Sequence, residues 1–359
     1  MKNCQVRILF ILKYREVLDE QTGIEVSIKG LSSGLANSAR FVHTMLLEEH
    51  ITSEIVQVID NNDIDREVSR YKPTHVVIEA FWVVPEKFTI LQKLHPNVTW
   101  IVRSHSEVPF LAQEGVAIDW ILNCVRHDRV CVASNSKNSV QDLRTIVAAA
   151  NPHWSREKVE EKVPYLPNFY PHKLRKNRKK ETEILDVACF GAIRPLKNQL
   201  IQAVAAIEYS EMIGKKLRFH INLGRTELGG ENCLKNLRAL FSHTPNAELI
   251  EEPWMNHEEF LTLLGKMDIG MQVTFTETFN IVSADMVVCS LPMVVSEEVE
   301  WAHRWCKASC TDTGDIVEKL IKITDWRFRN VVSFLNIKGL RSFSEESRRL
   351  WKEYFCQQY

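Results

Sequence analysis

In residues 185–207, LDVACFGAIRPLKNQLIQAVAAI, a short apolar run ends at Phe190, a turn follows at Gly191, and an apolar helix begins near Leu200. Strand, glycine turn and helix in that order make half of a βαβ unit. The turn carries Arg194 and Lys197, so helix amides and two cations converge where an anion such as phosphate would sit. It lacks the Gly-Lys-Ser/Thr of a Walker loop and the Gly-x-Gly-x-x-Gly of a dinucleotide fingerprint. Taken alone, it also fits an ordinary βα loop whose Arg and Lys are solvated.

Outward from this stretch the same alternation recurs. Apolar, β-branched runs precede it at 6–12, 53–59, 75–80, 99–103 and 129–133, and follow it at 217–223, 247–251, 269–275, 293–296 and 307–311. Amphipathic stretches lie between them, such as 39–48 with Phe41, Val42, Met45 and Leu46 on one face. This predicts an α/β protein with two Rossmann-like, doubly wound parallel sheets. Between the two series stand Pro164 and Pro167, then residues 173–180 with six Lys/Arg and no acid, a linker signature. The expected organisation is a first domain over 1–170, a basic linker over 171–184, a second domain over 185–335, and a helical segment over 336–359. That last segment is expected to pack back towards the first domain, with a closing helix over 344–354 that has Ser344 as N-cap and Leu350, Trp351 and Phe355 as apolar contacts. Two such sheets are expected to face each other across a cleft, with ligands at the strand C-terminal ends.

Composition narrows the function. The 359 residues are 45% hydrophobic and 25% charged, and 45 Lys+Arg nearly cancel 46 Asp+Glu. A field that would drive non-specific nucleic-acid binding is thereby excluded, and any polyanion contact must be local. Nine scattered cysteines read as reduced thiols of a cytoplasmic protein. His303, Cys306 and Cys310 lack a fourth ligand for zinc, so no metal site is expected. The apolar run at 8–12 is bracketed by Arg7 and Lys13 and reads as a strand rather than a signal peptide. No apolar run reaches membrane-spanning length.

A second constellation is Thr276-Glu277-Thr278-Phe279-Asn280-Ile281-Val282-Ser283-Ala284-Asp285. A strand is expected to end at Phe275 and a helix to begin near Phe279, its free amides pointing out of the sheet. Glu277 precedes the helix and Asp285 sits on its second turn. Alone, this also fits a helix N-terminus with a capping acid. Trp301 and Trp305 could stack on a base or sugar, or simply pack against the last strand.

The ordered set of these pieces resembles the retaining, metal-independent GT-B glycosyltransferases of the family 4 type. Their second domain carries Gly-x-x-Arg-Pro-x-Lys-Gly/Asn, here Gly191 to Asn198, and a Glu-Phe-Gly segment with a second Glu eight residues after the first. Gly224 resembles their glycine turn after a strand, and Glu252-Pro253-Trp254 with Glu258-Glu259-Phe260 resembles the approach to the donor-site strand. In the first domain, residues 32–38 with Ser33, Gly34 and Asn37 resemble the acceptor-side loop. Ser104-His105-Ser106-Glu107 resembles the strand end with a catalytic-site histidine, and Leu166-Pro167-Asn168 the close of the domain. Three positions depart: Asp285 replaces the second Glu, and Asn280 and Ser290 replace glycines.

The resemblance implies transfer of a sugar from a nucleoside-diphosphate sugar, UDP- or GDP-linked, with no other cofactor. Arg194 and Lys197 would hold the phosphates with Gly191, Gly224 and the main chain at Thr278, Phe279, Asn280, Ile281 and Val282. Glu277 would hold sugar hydroxyls, Asp285 the ribose, and His105 the sugar near the reacting carbon. The acceptor would be a saccharide or lipid-linked saccharide. The basic run at 173–180 reads as a solvated hinge or as a contact for an anionic acceptor, either nucleic-acid backbone or acidic lipid, and a modified DNA base as acceptor is a further reading. The competing function is a non-catalytic nucleotide-sugar or sugar-binding protein on the same fold. A dehydrogenase lacks its glycine fingerprint here, and a periplasmic-type binding protein its export signal.

Overall fold

The structure, a computed structural model, describes residues 6–14, 17–18, 25–26, 34–175 and 182–356. They form two compact units. The first holds 6–14, 34–170 and 344–356, and the second 17–18, 25–26, 171–175 and 182–343. Ser33 and residues 176–180 of the basic run lie outside the described residues.

Strand β1 (Arg7–Lys13) opens the first sheet, while β2 (Val17–Leu18) and β3 (Glu25–Val26) pair only with each other, antiparallel. The sheet continues with β4 (Thr52–Val58), β5 (His75–Glu79), β6 (Thr99–Ser104) and β7 (Val130–Ser134) in the order β4-β1-β5-β6-β7, all parallel. Successive side chains leave a strand on opposite faces, and both faces here are apolar. Leu9, Ile11, Val76, Ile78, Trp100 and Val102 face one core with Phe88 and Ile121. Ile8, Phe10, Val77, Ile101 and Ala133 face the other with Val42, Met45, Trp351 and Phe355. Burial on both faces is why these strands read as unbroken apolar runs.

The second sheet is β8 (Ile184–Ala188), β9 (Lys216–Asn222), β10 (Ala247–Glu252), β11 (Ile269–Gln272), β12 (Met293–Ser296) and β13 (Lys307–Ala308). Its order is β10-β9-β8-β11-β12-β13, again all parallel. The α/β class with two parallel sheets is therefore as the sequence predicts. Chain direction across the sheet reverses between β8 and β11, and such a switch point opens a crevice at the strand C-termini. Gly270 of β11 lets the helix Ile281–Val288 settle onto the sheet, since a Cβ there would lie 2.3 Å from the Met286 sulfur.

The C-terminal helix differs from expectation. It runs unbroken from Trp326 to Cys356, so Ser344 sits mid-helix and is not an N-cap. Its buried hydroxyl donates to the Tyr170 carbonyl at 3.0 Å and accepts the Tyr170 N–H at 3.3 Å. Beyond it, Trp351 and Phe355 are fully buried in the first unit.

Candidate functional site

In the second unit an ion pair, Lys197 with Glu277, spans the loops at the switch point. After β8 the chain turns at Gly191, whose φ of 126° is costly for a side chain, and its N–H donates to Asn222 Oδ1 at 2.9 Å. A single 3-10 turn, Pro195–Lys197, precedes the helix Gln199–Met212. Asn198 joins the two at φ 57°, tying this loop to the one after β11 through its side-chain N–H to the Val273 carbonyl at 3.0 Å. The Phe275 N–H donates to the Leu196 carbonyl at 3.0 Å as a second tie. These ties carry Lys197 and Glu277 into an ion pair across the switch point, both side chains largely sunk. The cation takes Glu277 Oε1.

Arg194 turns the other way. Its Nη1 donates to Glu227 Oε2 at 3.0 Å, and Arg225 holds the second oxygen of the same carboxylate at 2.7 Å. The loops after β8 and β9 are zipped where Ile193 bridges Thr226, a contact so close that a Cβ on Gly230 would stand 2.0 Å from the Ile193 oxygen. Gly224 makes the turn after β9 at φ 84°. The structure thus brings Lys197 and Glu277 together and sets Arg194 beside Glu227, a residue the sequence reading missed.

The helix after β11 begins at Ile281, two residues later than expected. Thr278 and Phe279 form a bend, and the Phe279 carbonyl accepts the Trp301 indole N–H at 2.8 Å. Trp301 is therefore committed to packing. Asn280 is the N-cap at φ 58°. Its Oδ1 accepts the Ser283 N–H at 2.9 Å and its Nδ2 donates to Gln272 Oε1 at 3.0 Å. Ile281 and Val282 hold N–H groups that have no partner within a helix. The Ser283 hydroxyl beside them is buried with no hydrogen-bond partner among the described residues. Asp285 is buried on the second turn and its Oδ1 meets His257 Nε2 at 2.7 Å. His257 opens the helix His257–Leu264 behind a capping box of Asn256 and Glu259. The Asn-x-x-Glu spacing was the available signal for it.

Both glycine departures acquire a physical meaning. Asn280 and Ser290 have φ of 58° and 56°, the left-handed region that glycine enters freely and asparagine tolerates.

In the first unit, β5 ends on Glu79 and β6 carries Arg103, both fully buried. Arg103 Nη1 lies 3.1 Å from Glu79 Oε2, and the guanidinium also donates to the Leu166 carbonyl at 3.0 Å and to Asn168 Oδ1. His105 follows β6. Its Nε2 meets Glu79 Oε2 and its Nδ1 lies 3.2 Å from Asn135 Nδ2. Burial lowers the His105 pKa below the ordinary imidazole value, against the pull of Glu79. Burial also works to raise Glu79, but Arg103 and His105 together hold its carboxyl below the ordinary range. The consistent arrangement is a neutral imidazole that donates from Nε2 to ionised Glu79 and accepts from Asn135. Gly34 opens the helix Gly34–Glu48 and Asn37 is buried in its first turn, where Arg40 Nη1 reaches Asn37 Oδ1 at 3.4 Å.

Among the described residues no group of three or more His, Cys, Asp and Glu side chains could hold a metal ion. Cys306 Sγ instead donates to the His303 carbonyl at 3.0 Å. No described helix is long and apolar enough to cross a membrane.

No protein-family model and no curated protein sequence matches the chain. Solved structures do. Sucrose-phosphate synthase from Thermosynechococcus elongatus is 12% identical, with 99% of each chain covered and a TM-score of 0.68. HepE from Anabaena, solved with UDP and glucose, is 11% identical over 99% of each chain, with a TM-score of 0.63. A UDP-forming trehalose-phosphate synthase from Burkholderia xenovorans is 11% identical over 97% of this chain and 98% of that one, also with a TM-score of 0.63. At these identities the likeness concerns architecture: the two parallel sheets match the GT-B fold seen in glycosyltransferase structures.

Proposed function

We infer that this protein is a glycosyltransferase that moves a sugar from a nucleoside-diphosphate sugar to an acceptor, with retention and without a metal. The observation that carries the reading is the Lys197–Glu277 pair across the switch point, beside the amide end of the helix Ile281–Val288. Breaking the glycosyl–phosphate bond leaves negative charge on the departing diphosphate, and fixed cations and amides stabilise that charge as it grows. Lys197 keeps two of its three protons beyond the one shared with Glu277. Those two and the first-turn amides are assigned to the phosphates, with Arg194 as a second cation.

Glu277 Oε2 is assigned to sugar hydroxyls, its orientation fixed by Lys197 through Oε1. Asp285, steadied by His257, is assigned to the ribose, and His105 to the sugar near the reacting carbon. A neutral His105 suits that role, because it adds no positive charge beside a sugar that itself becomes cationic. The likeness to a structure holding UDP and glucose supports a UDP-sugar first, with GDP-sugars as the other donors to try. The acceptor is proposed to be a saccharide or lipid-linked saccharide, and the protein to work in the cytoplasm.

A thermal-shift screen against uridine, guanosine, adenosine and thymidine diphosphates and their sugars, with and without magnesium, tests the reading. At a hundredfold excess over its dissociation constant the true nucleotide stabilises by about 2.7 kcal/mol, without magnesium, and Lys197→Ala removes the shift. Slow hydrolysis of the sugar nucleotide without acceptor separates an enzyme from a binding protein. Silence in both assays overturns the assignment.

A further inference from the structure

The first half of the C-terminal helix carries an outer face that the proposed transfer chemistry does not use. Residues 326–341, WRFRNVVSFLNIKGLR, contain Arg327, Arg329, Lys338 and Arg341 and no acid. At 100° per residue, Trp326, Arg327, Val331, Phe334, Lys338 and Arg341 fall within an arc of about 140°. The opposite side is buried at Val332, Asn336 and Leu340. Trp326 is 83% exposed, the most exposed large hydrophobic side chain among the described residues, and Phe334 is 64% exposed. Single exposed apolar residues are ordinary. Here an indole, a phenyl ring and Val331 stand along about 12 Å of one helix, with Arg327 beside them and Lys338 and Arg341 one and two turns further on.

We propose that this face docks the protein onto an anionic lipid surface. Trp and Phe insert at the level where headgroups meet acyl chains, and flanking Arg and Lys reach anionic headgroups. The charges favour this occupant. Lys338 and Arg341 form no ion pair with any described residue, while Arg327 is held by Asp325, and the next acid on the face is Glu345, one turn beyond Arg341. A second copy of the chain would bring the same cations against themselves in a symmetric pair. The helix lies on the surface and is anchored by its buried side, so the face is preformed.

The test is co-sedimentation of the full chain with vesicles of phosphatidylcholine alone and of phosphatidylcholine mixed with phosphatidylglycerol. The wild type is expected to bind the mixed vesicles and not the neutral ones, with binding lost at high salt. Lys338→Glu with Arg341→Glu lowers binding at least about tenfold, and Trp326→Ala with Phe334→Ala does the same while circular dichroism and melting stay as in the wild type. Brominated lipids quench tryptophan emission in the wild type more than in Trp326→Ala. Equal binding to both vesicle types, or full binding by either double variant, overturns the proposal. So does a dimer in solution that the Trp326→Ala, Phe334→Ala variant dissociates, since it gives the face to a second copy.

Discussion

The strand ends of the two sheets use charge in opposite ways. In the first unit, Glu79 and Arg103 are sealed, with 0% side-chain exposure each, and only the rim of His105 reaches solvent. In the second, Lys197 and Glu277 keep 12% and 10% exposure, and the neighbouring backbone passes through left-handed turns at Asn198 and Asn280. Sealed charges, saturated by each other and by main-chain carbonyls, hold the loops that follow their strands. Largely sunk charges that still keep about a tenth of their surface exposed retain spare hydrogen-bonding capacity for a ligand.

The largest effect that could break this contrast is on stability. Arg103→Met leaves the Glu79 carboxylate buried without its strongest partner, a loss of about 3–5 kcal/mol. Glu79→Met on top of it should restore most of that, because an apolar pair of similar volume removes the stranded charge. Chemical denaturation measures both. A loss below about 1 kcal/mol in the single variant would mean that the pair is not sealed and that the two units do not differ in this way.

Next comes activity. Lys197→Ala should slow turnover of the sugar nucleotide by about a hundredfold, the usual cost of one oriented donor to developing charge. Arg194→Ala should cost less, because its guanidinium is already shared with Glu227 while Arg225 remains beside that carboxylate. Steady-state hydrolysis rates of the two variants rank the cations. An Arg194 effect larger than the Lys197 effect would move the phosphate position from the switch point towards β9.

Particular residues show what the sequence could carry. The strands were legible because both faces of each sheet are buried, which turns strands into apolar runs. The Gly191 turn was legible because one glycine, two cations and a helix start fall within ten residues. Glu79 and Arg103 were not, because a charge at the end of an apolar run reads as a solvated strand end, and only the register of β5 on β6, which sets Glu79 beside Arg103, makes them neighbours. Glu227 and His257 were hidden for the same reason, since their partners lie 33 and 28 residues away. The long helix from Trp326 was missed because its exposed Trp and Phe blur the apolar period, while Ser344 followed by Glu345 and Glu346 imitates a helix start.

A smaller effect sharpens the contrast through pH. The folded state holds His105 below its ordinary pKa, so the unfolded chain binds that proton more readily. The associated stability is complete above about pH 6.5 and is lost as pH falls towards the folded value, by at most about 1.4 kcal/mol per pH unit. Glu79, depressed from an ordinary carboxylate value, loses its contribution only in a lower window. Urea midpoints across pH 5 to 8 should therefore fall less steeply on the acid side in His105→Gln than in the wild type. An identical slope would mean that His105 titrates as it does in the unfolded chain, and its burial would then not hold the imidazole neutral.

The smallest effect concerns the left-handed turns. Ser290 lies at φ 56°, where a Cβ costs about 1–2 kcal/mol, and its hydroxyl gives back only a long bond of 3.4 Å to the Arg175 carbonyl. Ser290→Gly should raise stability by up to about 1 kcal/mol with turnover unchanged, because the residue closes the helix Ile281–Val288 at the end remote from Asn280. Asn280→Gly sits at the other end of that helix with a similar φ, yet should lower stability, since it surrenders two good hydrogen bonds, to the Ser283 N–H and Gln272 Oε1. The same replacement at two positions of nearly equal φ thus separates strain from capping. If both variants shift the melting temperature in the same direction, backbone conformation outweighs the cap, and Asn280 holds the helix start by its φ alone.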